Sequence, residues 1–365
     1  MRKLRLAIIG QGRSGRGIHG FFYTLPENKY VEVVAVVDLL EHRRAYAERY
    51  GCKDVYADYK ELYARKDIDV VINASFSCDH YPVTKDLLLH GFNVIVEKPM
   101  AVTYKQASEL IAIAKQKGVK LTVFQQTLMS SQFLKLKEII DSGIIGKPLQ
   151  VNLRYNGFNR RYDWQTLQSW GGGDLYNTGP HGIGQALDLL GWDPQYKVSF
   201  SSLKRANIAG DGDDYAKVIL TAPNKPVIDL EVSNVFPFEN TLYTVFGTKG
   251  GARIHAMNYE IKYIKEEELP KLKPIEKTLE KEDGSPAYCS EKLNWYTETG
   301  KIDGRDWEEV LERFYKMLYE GLMDIAPFKV TAEMGAEVVR VLEKVTVDNP
   351  FPVQYPLYNE HNDKF

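Results

Sequence analysis

The chain has 365 residues, and its 47 lysines and arginines nearly balance its 49 aspartates and glutamates, for a formal net charge of −2. This length exceeds the roughly 250–300 residues at which a single hydrophobic core stops growing, so we expect two domains. The balanced charge argues against nucleic-acid or membrane-surface partners. No apolar stretch of the sequence reaches the roughly 20 residues of a membrane span. Three cysteines without metal-ligand spacing (Cys52, Cys78 and Cys289) predict no metal site and favour a reducing, cytoplasmic environment.

The first third of the chain alternates apolar runs with helix-favouring stretches. Strands are predicted at residues 4–9, 31–37, 69–72, 93–96 and 120–124, and helices at residues 41–50, 82–90 and 105–117. A glycine follows each of these predicted helices, as is common at helix ends. Buried strands that alternate with helices are typical of an α/β fold with a doubly wound parallel sheet.

The pattern changes near residue 149, where apolar and polar residues begin to alternate. The alternation indicates strands with one face exposed to solvent. It covers residues 149–156 and 228–233, and further strand-rich segments lie at 197–203, 215–221 and 241–246 without intervening helices. With late helices predicted at 307–320 and 332–347, this favours a second, α+β domain with a large, mostly antiparallel sheet. We place the domains at residues 1–123 and 124–365, and interpret the charged stretch 265–284 as a solvated loop.

Residues 10–15, with the sequence GQGRSG, fit the G-x-G-x-x-G motif directly after the first predicted strand. Gly10 permits a tight turn, Gly12 lets the backbone approach a pyrophosphate, and Gly15 lets the following helix pack closely. Arg13 and Ser14 would then lie beside the phosphates, at the N-terminus of that helix. This context favours a dinucleotide site over an ordinary glycine-rich turn.

The choice between the two nicotinamide cofactors is indicated by Asp38, directly after the second predicted strand. A carboxylate at this position accepts hydrogen bonds from the adenosine ribose hydroxyls and repels a 2′-phosphate. The sequence therefore predicts NAD rather than NADP. Arg43 and Arg44 are close by and leave NADP as the alternative.

The tripeptide Glu97-Lys98-Pro99 follows the predicted strand 93–96, at the end of the sheet where open α/β folds bind ligands. A lysine in a partly dry cleft has a lowered pKa, which suits proton exchange with a hydroxyl group. Glu97 could orient Lys98. The alternative interpretation is a solvated ion pair before a proline that ends the strand.

A glycine-rich segment, residues 171–181, ends in a histidine. If one helix ran through it, Asn177 and His181 would share a face, although Pro180 would start or kink a helix rather than lie inside it. A histidine with a near-neutral pKa in this setting suits a general base. A structural, hydrogen-bonded histidine is the alternative.

An aromatic and polar loop lies between these two segments. It contains the candidate substrate contacts Tyr155, Arg161, Asp163 and Trp164. Flat rings with interleaved polar groups suit a sugar, which offers C–H faces and many hydroxyls. The same composition suits a subunit interface, and the sequence leaves both interpretations open.

Together, the glycine motif, Asp38, the Glu97-Lys98-Pro99 tripeptide and the segment ending at His181 resemble the Gfo/Idh/MocA family of oxidoreductases over nearly the whole chain. The resemblance implies a Rossmann domain followed by an open-faced antiparallel sheet, with the active site between them. It also implies a nicotinamide cofactor and the oxidation of a carbohydrate or polyol hydroxyl. Because that sheet usually makes subunit contacts in the family, a homo-oligomer is expected.

Individual roles are implied by the same resemblance. Lys98 corresponds to the catalytic lysine of the family and His181 to its histidine near the reacting hydroxyl. The family contacts its cofactor at the positions of Ser75, His80, Glu97, Lys98 and Gln126.

Three positions depart from the family pattern. Asn177 stands where an aspartate is common, so proton transfer would depend on His181 and Lys98, and Asn177 would position the substrate. Gly184 replaces a second common aspartate, and the arginine common after the sixth strand is absent from the segment 125–128.

We therefore expect an NAD-dependent dehydrogenase that oxidises a secondary hydroxyl of a sugar or glycoside, and the loop 163–165 resembles a subgroup acting at ring carbon C3. Two alternatives remain: a lyase or hydrolase that recycles its NAD, and a non-catalytic nucleotide-binding sensor. The sequence predicts neither the identity of the sugar nor the direction of the reaction.

Overall fold

The computed structural model describes residues 2–271, 279–288, 290–304 and 306–355, and arranges them around two sheets. The first sheet contains β1 (Leu4–Ile9), β2 (Val31–Val37), β3 (Val55–Tyr56), β4 (Val70–Asn73), β5 (Val94–Glu97) and β6 (Leu121–Phe124). Its strands are all parallel, in the order β3-β2-β1-β4-β5-β6. The strand order reverses beside β1, where doubly wound sheets bind their ligands. The predicted α/β Rossmann fold is confirmed.

The second sheet has eight strands. They are β7 (Pro148–Asn156), β8 (Lys197–Lys204), β9 (Tyr215–Thr221), β10 (Val227–Ser233), β11 (Tyr243–Gly247), β12 (Gly250–His255), β13 (Asn258–Tyr263) and β14 (Tyr296–Lys301). They lie in the order β14-β13-β12-β11-β7-β10-β9-β8, and every pair is antiparallel except β7 with β10. The expected large, mostly antiparallel sheet is therefore present.

The α-helices flank the two sheets, and most of them contribute to the hydrophobic cores. They are α1 (Gly20–Tyr23), α2 (Glu41–Arg44), α3 (His80–Leu89), α4 (Tyr104–Lys117), α5 (Ser131–Asp141), α6 (Asp174–Asn177), α7 (Gly179–Leu189), α8 (Asp306–Leu322) and α9 (Ala332–Asp348). On β7, Val151 and Leu153 are buried against these helices, whereas the intervening Asn152 is only partly buried on the other face. The alternation in the sequence thus separates a covered face from an open one.

Two predicted helices differ from the structure. The helix expected at 41–50 is α-helical only to Arg44 and continues as a 3-10 turn to Tyr50, before Gly51 at a φ of 69°. A single helix through Asn177 and His181 is not formed, because α6 ends at Asn177 and α7 begins at Gly179, with Pro180 in its first turn. Proline is well tolerated there because its missing N–H would have no helical partner. Of the predicted loop 265–284, residues 272–278 lie outside the described part of the chain.

The last part of the chain returns to the first sheet. Phe314, Tyr315 and Leu318 of α8 are fully buried in the same core as β1 and β6. Helix α9 contributes Val339 to this core and Leu342 to the core beneath the second sheet. The two sheets are therefore held together by α9, and α8 packs on the Rossmann core although it lies late in the sequence. The domain boundary near residue 123 stays a prediction.

Candidate active site

The glycine motif forms a tight backbone turn at the end of β1. A Cβ atom on Gly10 would lie 2.4 Å from the carbonyl oxygen of Ala74, and one on Gly15 would lie 1.8 Å from the Gly10 carbonyl oxygen. Both positions therefore exclude any side chain. Gly12 is different, because a Cβ there would meet nothing within 4 Å. The backbone at Gly12 is thus open to a ligand, as a pyrophosphate site requires.

A basic cavity of about 760 Å³ adjoins this turn. Its lining includes Gly12, Arg13, Arg16, His42, Arg43, Arg49 and Tyr46. The guanidinium groups of Arg16 and Arg49 lie 4.6 and 5.3 Å from the ring centroid of Tyr46. Size, positive charge and the open backbone at Gly12 all fit an anionic dinucleotide such as NAD.

Asp38 links the glycine turn to the end of β2 through a hydrogen bond. Its Oδ2 accepts a hydrogen bond from the backbone N–H of Gln11 at 2.7 Å, and its Oδ1 accepts one from Leu40 at 2.9 Å. Each carboxylate oxygen keeps acceptor capacity for a ribose hydroxyl. Arg44 donates to the backbone carbonyls of Asp38 and Leu39 at 2.8 and 3.0 Å, so its side chain is held beside β2.

The remaining predicted cofactor residues surround the ends of β4, β5 and β6. His80 is buried, and its ring nitrogens lie 2.7 Å from the Pro99 carbonyl oxygen and 3.2 Å from that of Ser75. Burial lowers the pKa of His80, and its contacts with these two carbonyl oxygens oppose the shift. Gln126 is also buried, and its Oε1 has no hydrogen-bond donor among the described residues. A ligand donor would satisfy this oxygen.

Lys98 reaches from the end of β5 to the second half of the chain. Its Nζ donates to the backbone carbonyl oxygen of Asn177 at 2.6 Å. Burial lowers the pKa of this amine, and the nearby Glu97 charge opposes the shift. The structure therefore brings Lys98 and Asn177 together, as the sequence analysis expected for the active site.

Glu97 belongs to a buried chain of polar groups that sequence reasoning missed. Its Oε1 lies 3.2 Å from Nε2 of His19, and Nδ1 of His19 lies 2.7 Å from the hydroxyl of Tyr315. Tyr315 donates in turn to the Tyr23 hydroxyl at 3.0 Å. Burial would raise the pKa of Glu97, but the hydrogen bond from His19 and its charge lower the pKa overall. Glu97 therefore remains a carboxylate beneath Lys98.

His181 lies in the first turn of α7, facing the same region. Its Nδ1 is 3.2 Å from the hydroxyl oxygen of Thr127. Burial lowers the pKa of His181 well below its usual value, and the positive charges of Lys98 and Arg13 add to this shift. The pKa is thus lower than the near-neutral value expected from the sequence, which makes the neutral ring a weaker base than predicted.

The predicted substrate loop forms a hydrogen-bond chain that ends at Asn177. Gln165 Nε2 donates to Asn177 Oδ1 at 2.9 Å, and Arg161 donates to Gln165 Oε1. Arg161 also holds Asp163 at 2.8 and 2.9 Å. The indole ring of Trp164 packs edge-on against Phe76 with centroids 5.0 Å apart. This part of the loop thus contacts both halves of the chain.

Tyr155 is engaged inside the second domain. Its hydroxyl donates to Gln185 Oε1 at 2.6 Å, and Tyr243 donates to the same oxygen at 2.9 Å. Tyr155 also lines a cavity of about 350 Å³ next to Thr178. The cavity is thus one place where a substrate could contact Tyr155.

Gly184 makes room for a residue that sequence reasoning did not single out. A Cβ at position 184 would lie 2.0 Å from Nε2 of Gln125, and this amide donates to the Pro180 carbonyl oxygen at 2.5 Å. The Gln125 side chain thus occupies the space that a larger side chain at position 184 would need. The sequence analysis noted Gly184 and the segment 125–128 separately, and it gave no indication of this contact.

Two classes of site are absent from the described residues. No group of three or more histidine, cysteine or acidic side chains there is arranged to hold a metal ion. Within the same ranges, no helix combines the length and the apolar character that crossing a membrane requires.

Comparison with known proteins identifies the family. Residues 4–125 match the oxidoreductase family profile with an NAD-binding Rossmann fold, and residues 133–253 match the Gfo/Idh/MocA C-terminal domain. The two matches together cover more than half of the chain. The protein therefore belongs to the Gfo/Idh/MocA family of NAD-binding oxidoreductases.

Individual relatives share only low sequence identity with the chain. The chain is 24% identical over 350 residues to scyllo-inositol 2-dehydrogenase (NADP(+)) IolW of Bacillus subtilis, covering 93% of this chain and 92% of that protein. It is 30% identical over 206 residues to D-glucoside 3-dehydrogenase of Escherichia coli, covering 55% and 58%. The structure of GenD2 from gentamicin A biosynthesis, in complex with NAD, matches with a TM-score of 0.75 at 21% identity and 95% coverage of both chains.

Proposed function

We propose that the protein is an NAD-dependent dehydrogenase that oxidises a secondary hydroxyl of a sugar or glycoside, with ring carbon C3 as the first position to examine. The observation that carries the proposal is the electrostatic interaction of Lys98 with His181. Lys98 extends from the end of β5 and donates to the Asn177 backbone oxygen, and its positive charge lowers the pKa of His181, which lies in the second half of the chain. These two side chains are the groups that would exchange a hydroxyl proton.

Each side chain of the site has a separate role in the proposed reaction. In the tautomer that this role requires, Nδ1–H of His181 donates to the Thr127 hydroxyl, and Nε2 is the atom that takes the hydroxyl proton. Lys98 stabilises the developing alkoxide, and Asn177, which cannot accept a proton, positions the substrate. When bound, NAD supplies the hydride acceptor. The glycine turn, Arg13, Ser14 and Asp38 would hold it, with Ser75, His80, Glu97 and Gln126 supporting the nicotinamide end.

The substrate class is supported by the loop and by the relatives. Arg161, Asp163 and Gln165 give charged and amide groups beside Asn177, and Trp164 adds a flat apolar ring. Sugars combine hydroxyls with apolar C–H faces, so they match both features. The names of two relatives, a glucoside 3-dehydrogenase and an inositol dehydrogenase, point to ring hydroxyls.

The proposal is tested by nicotinamide absorbance during incubation with a panel of sugars and methyl glycosides, using NAD and NADP in parallel. We expect reduction of the cofactor with at least one glycoside, more efficiently with NAD because Asp38 disfavours a 2′-phosphate. In Lys98→Ala and His181→Ala, turnover should fall about 100-fold or more, the size of a lost acid–base group. Near-wild-type turnover in both variants contradicts the assignments. Release of the aglycone without net reduction of NAD indicates the recycling lyase instead.

The open face of the second sheet supports a homo-oligomer. Phe246 and Val227 flank Gln150 across neighbouring strands on this face, and they are 49% and 37% exposed. Burying this face against a second copy removes apolar surface from water. Sedimentation velocity should show a dimer or larger species, and Phe246→Glu should shift it towards the monomer. A monomeric wild-type protein contradicts this part of the proposal.

A further inference from the structure

A second cavity, of about 350 Å³, lies beside the cleft where the parallel strands β7 and β10 end. Thr178 lines it, and Thr178 directly follows Asn177, whose carbonyl oxygen accepts a hydrogen bond from Lys98. Thr178 and Asn177 are neighbours in the chain, so the cavity wall and the backbone oxygen that Lys98 contacts belong to the same segment. A substrate that reacts at Lys98 would use this cavity for the part remote from the reacting carbon.

Two side-chain carbonyls of the cavity wall lack hydrogen-bond donors. Asn156 Nδ2 donates to Glu231 Oε1 at 2.8 Å, and Asn240 Nδ2 donates to the Asn156 backbone oxygen at 3.1 Å. These bonds fix the orientation of each amide. They leave the Oδ1 atoms of Asn156 and Asn240 buried, with no donor in the described part of the chain. Buried acceptors are normally satisfied, and a donor group bound in the cavity would satisfy these two oxygens.

The same wall carries a buried carboxylate, Asp174. Both of its oxygens lie 2.7 Å from Nδ2 of Asn234, and no lysine or arginine among the described residues forms an ion pair with it. Burial raises the pKa of Asp174 to about 6, with Arg161 opposing and Asp214 adding to the shift. The carboxylate thus lacks a directly bonded cation.

The arginine in the cavity wall, Arg154, already pairs with another carboxylate. Arg154 lines the cavity, but its guanidinium lies 3.0 Å from Asp229 Oδ1 and also bonds to backbone carbonyls. Within the described ranges, the cavity wall thus contains two amide oxygens without a donor and a carboxylate without a directly bonded cation.

We propose that this cavity binds a protonated amino group of the substrate, so that the protein acts on an amino sugar or an aminated glycoside. The inference rests on the proposed dehydrogenase function and names its substrate class. An ammonium group offers three donors and no acceptor, which matches two amide carbonyls and one carboxylate. A hydroxyl offers one donor and carries no positive charge to balance the Asp174 carboxylate.

The test is titration calorimetry on the intact protein saturated with NADH. The probes are methyl glucopyranoside and the methyl aminodeoxyglucopyranosides that carry the amine at C2, C4 or C6. At least one amine should bind about tenfold or more tightly than the hydroxyl parent, as expected for a hydrogen bond to a charged group. Asp174→Asn keeps the shape of the side chain and should abolish the difference in affinity between the amine and the parent glycoside.

Matched asparagine variants localise the effect. Asn156→Ala and Asn240→Ala should reduce the amine preference, whereas Asn152→Ala should keep it, because Asn152 is on the same strand and face as Asn156 but outside the cavity. Thermal unfolding checks that each variant is folded. Equal affinity for amine and parent, no binding of any amine, or binding of Ca²⁺ in competition with the amine overturns the inference. Because calorimetry does not require turnover, these outcomes are separate from failure of the dehydrogenase assay.

Discussion

Glu97 connects the proposed catalytic lysine with the N-terminal turn and the late helix α8. One carboxylate oxygen is bonded to His19, and the other accepts the backbone N–H of Lys98 at 3.1 Å. His19 is anchored by Tyr315, 296 residues away in the sequence. A buried carboxylate needs such partners, because the cost of removing its charge from water is otherwise not offset. The position of Lys98 thus depends on residues from three separate parts of the chain.

This arrangement predicts a large loss of stability in His19→Ala. The substitution removes the partner of a buried carboxylate, which should lower the free energy of unfolding by about 3–5 kcal/mol. Urea unfolding followed by circular dichroism measures the change. His90→Ala is the control, because His90 is 44% exposed and pairs with Asp86 at the surface, where about 1 kcal/mol or less is expected. Equal losses in the two variants contradict the role given to His19.

The residues of the candidate site were predictable to different degrees. Gly10, Gly15 and Asp38 follow from local spacing because a turn between a strand and a helix constrains neighbours in the sequence. The pairing of His19 with Tyr315 was not predictable, since hydrogen bonds across long separations leave no pattern in a single sequence. The same holds for Gln125, whose amide fills the space beside Gly184.

At the scale of elements, the break between α6 and α7 determines where Asn177 and His181 lie. Asp213 Oδ2 accepts the backbone N–H of Leu175 at 2.8 Å and so secures the first turn of α6. Gly173 precedes that turn at a φ of 96°, in a region that favours glycine. In the sequence, Pro180 indicated the start of helix α7. Nothing in the sequence indicated that Asp213, from a distant loop, would stabilise the start of helix α6.

Gly173→Ala should therefore disturb this element. An added Cβ would lie 2.3 Å from Asp213 Oδ1, and the backbone would be strained at positive φ. We expect a loss of about 1–3 kcal/mol in unfolding free energy. In Gly17→Ala the new Cβ meets nothing within 4 Å, so its stability should stay within about 1 kcal/mol of the wild type. Thermal or urea unfolding of both variants measures these changes in stability. An unfolding free energy of Gly173→Ala equal to that of the wild type would contradict the prediction and show that the turn tolerates a side chain.

At the scale of the whole molecule, helices from the end of the chain pack on the core of the N-terminal sheet. The fold class was predictable because strand and helix periods are local properties of the sequence. The docking of α8 on the first core was not, because an amphipathic helix shows only that one face will be buried and not which core will bury it. This docking brings Tyr315 beneath the Rossmann sheet, while α9 joins both cores. The surroundings of Lys98 are therefore shaped by helix α8 as well as by the Rossmann sheet.

The most direct test of the central claim is a crystal structure of the protein with NADH and a glycoside identified in the turnover screen. We predict that Lys98 Nζ and the His181 ring lie on the same face of the nicotinamide ring, with the reacting sugar carbon about 3–3.5 Å from the ring carbon that exchanges hydride. A nicotinamide ring bound away from these two side chains, or a sugar that contacts neither, would contradict the account.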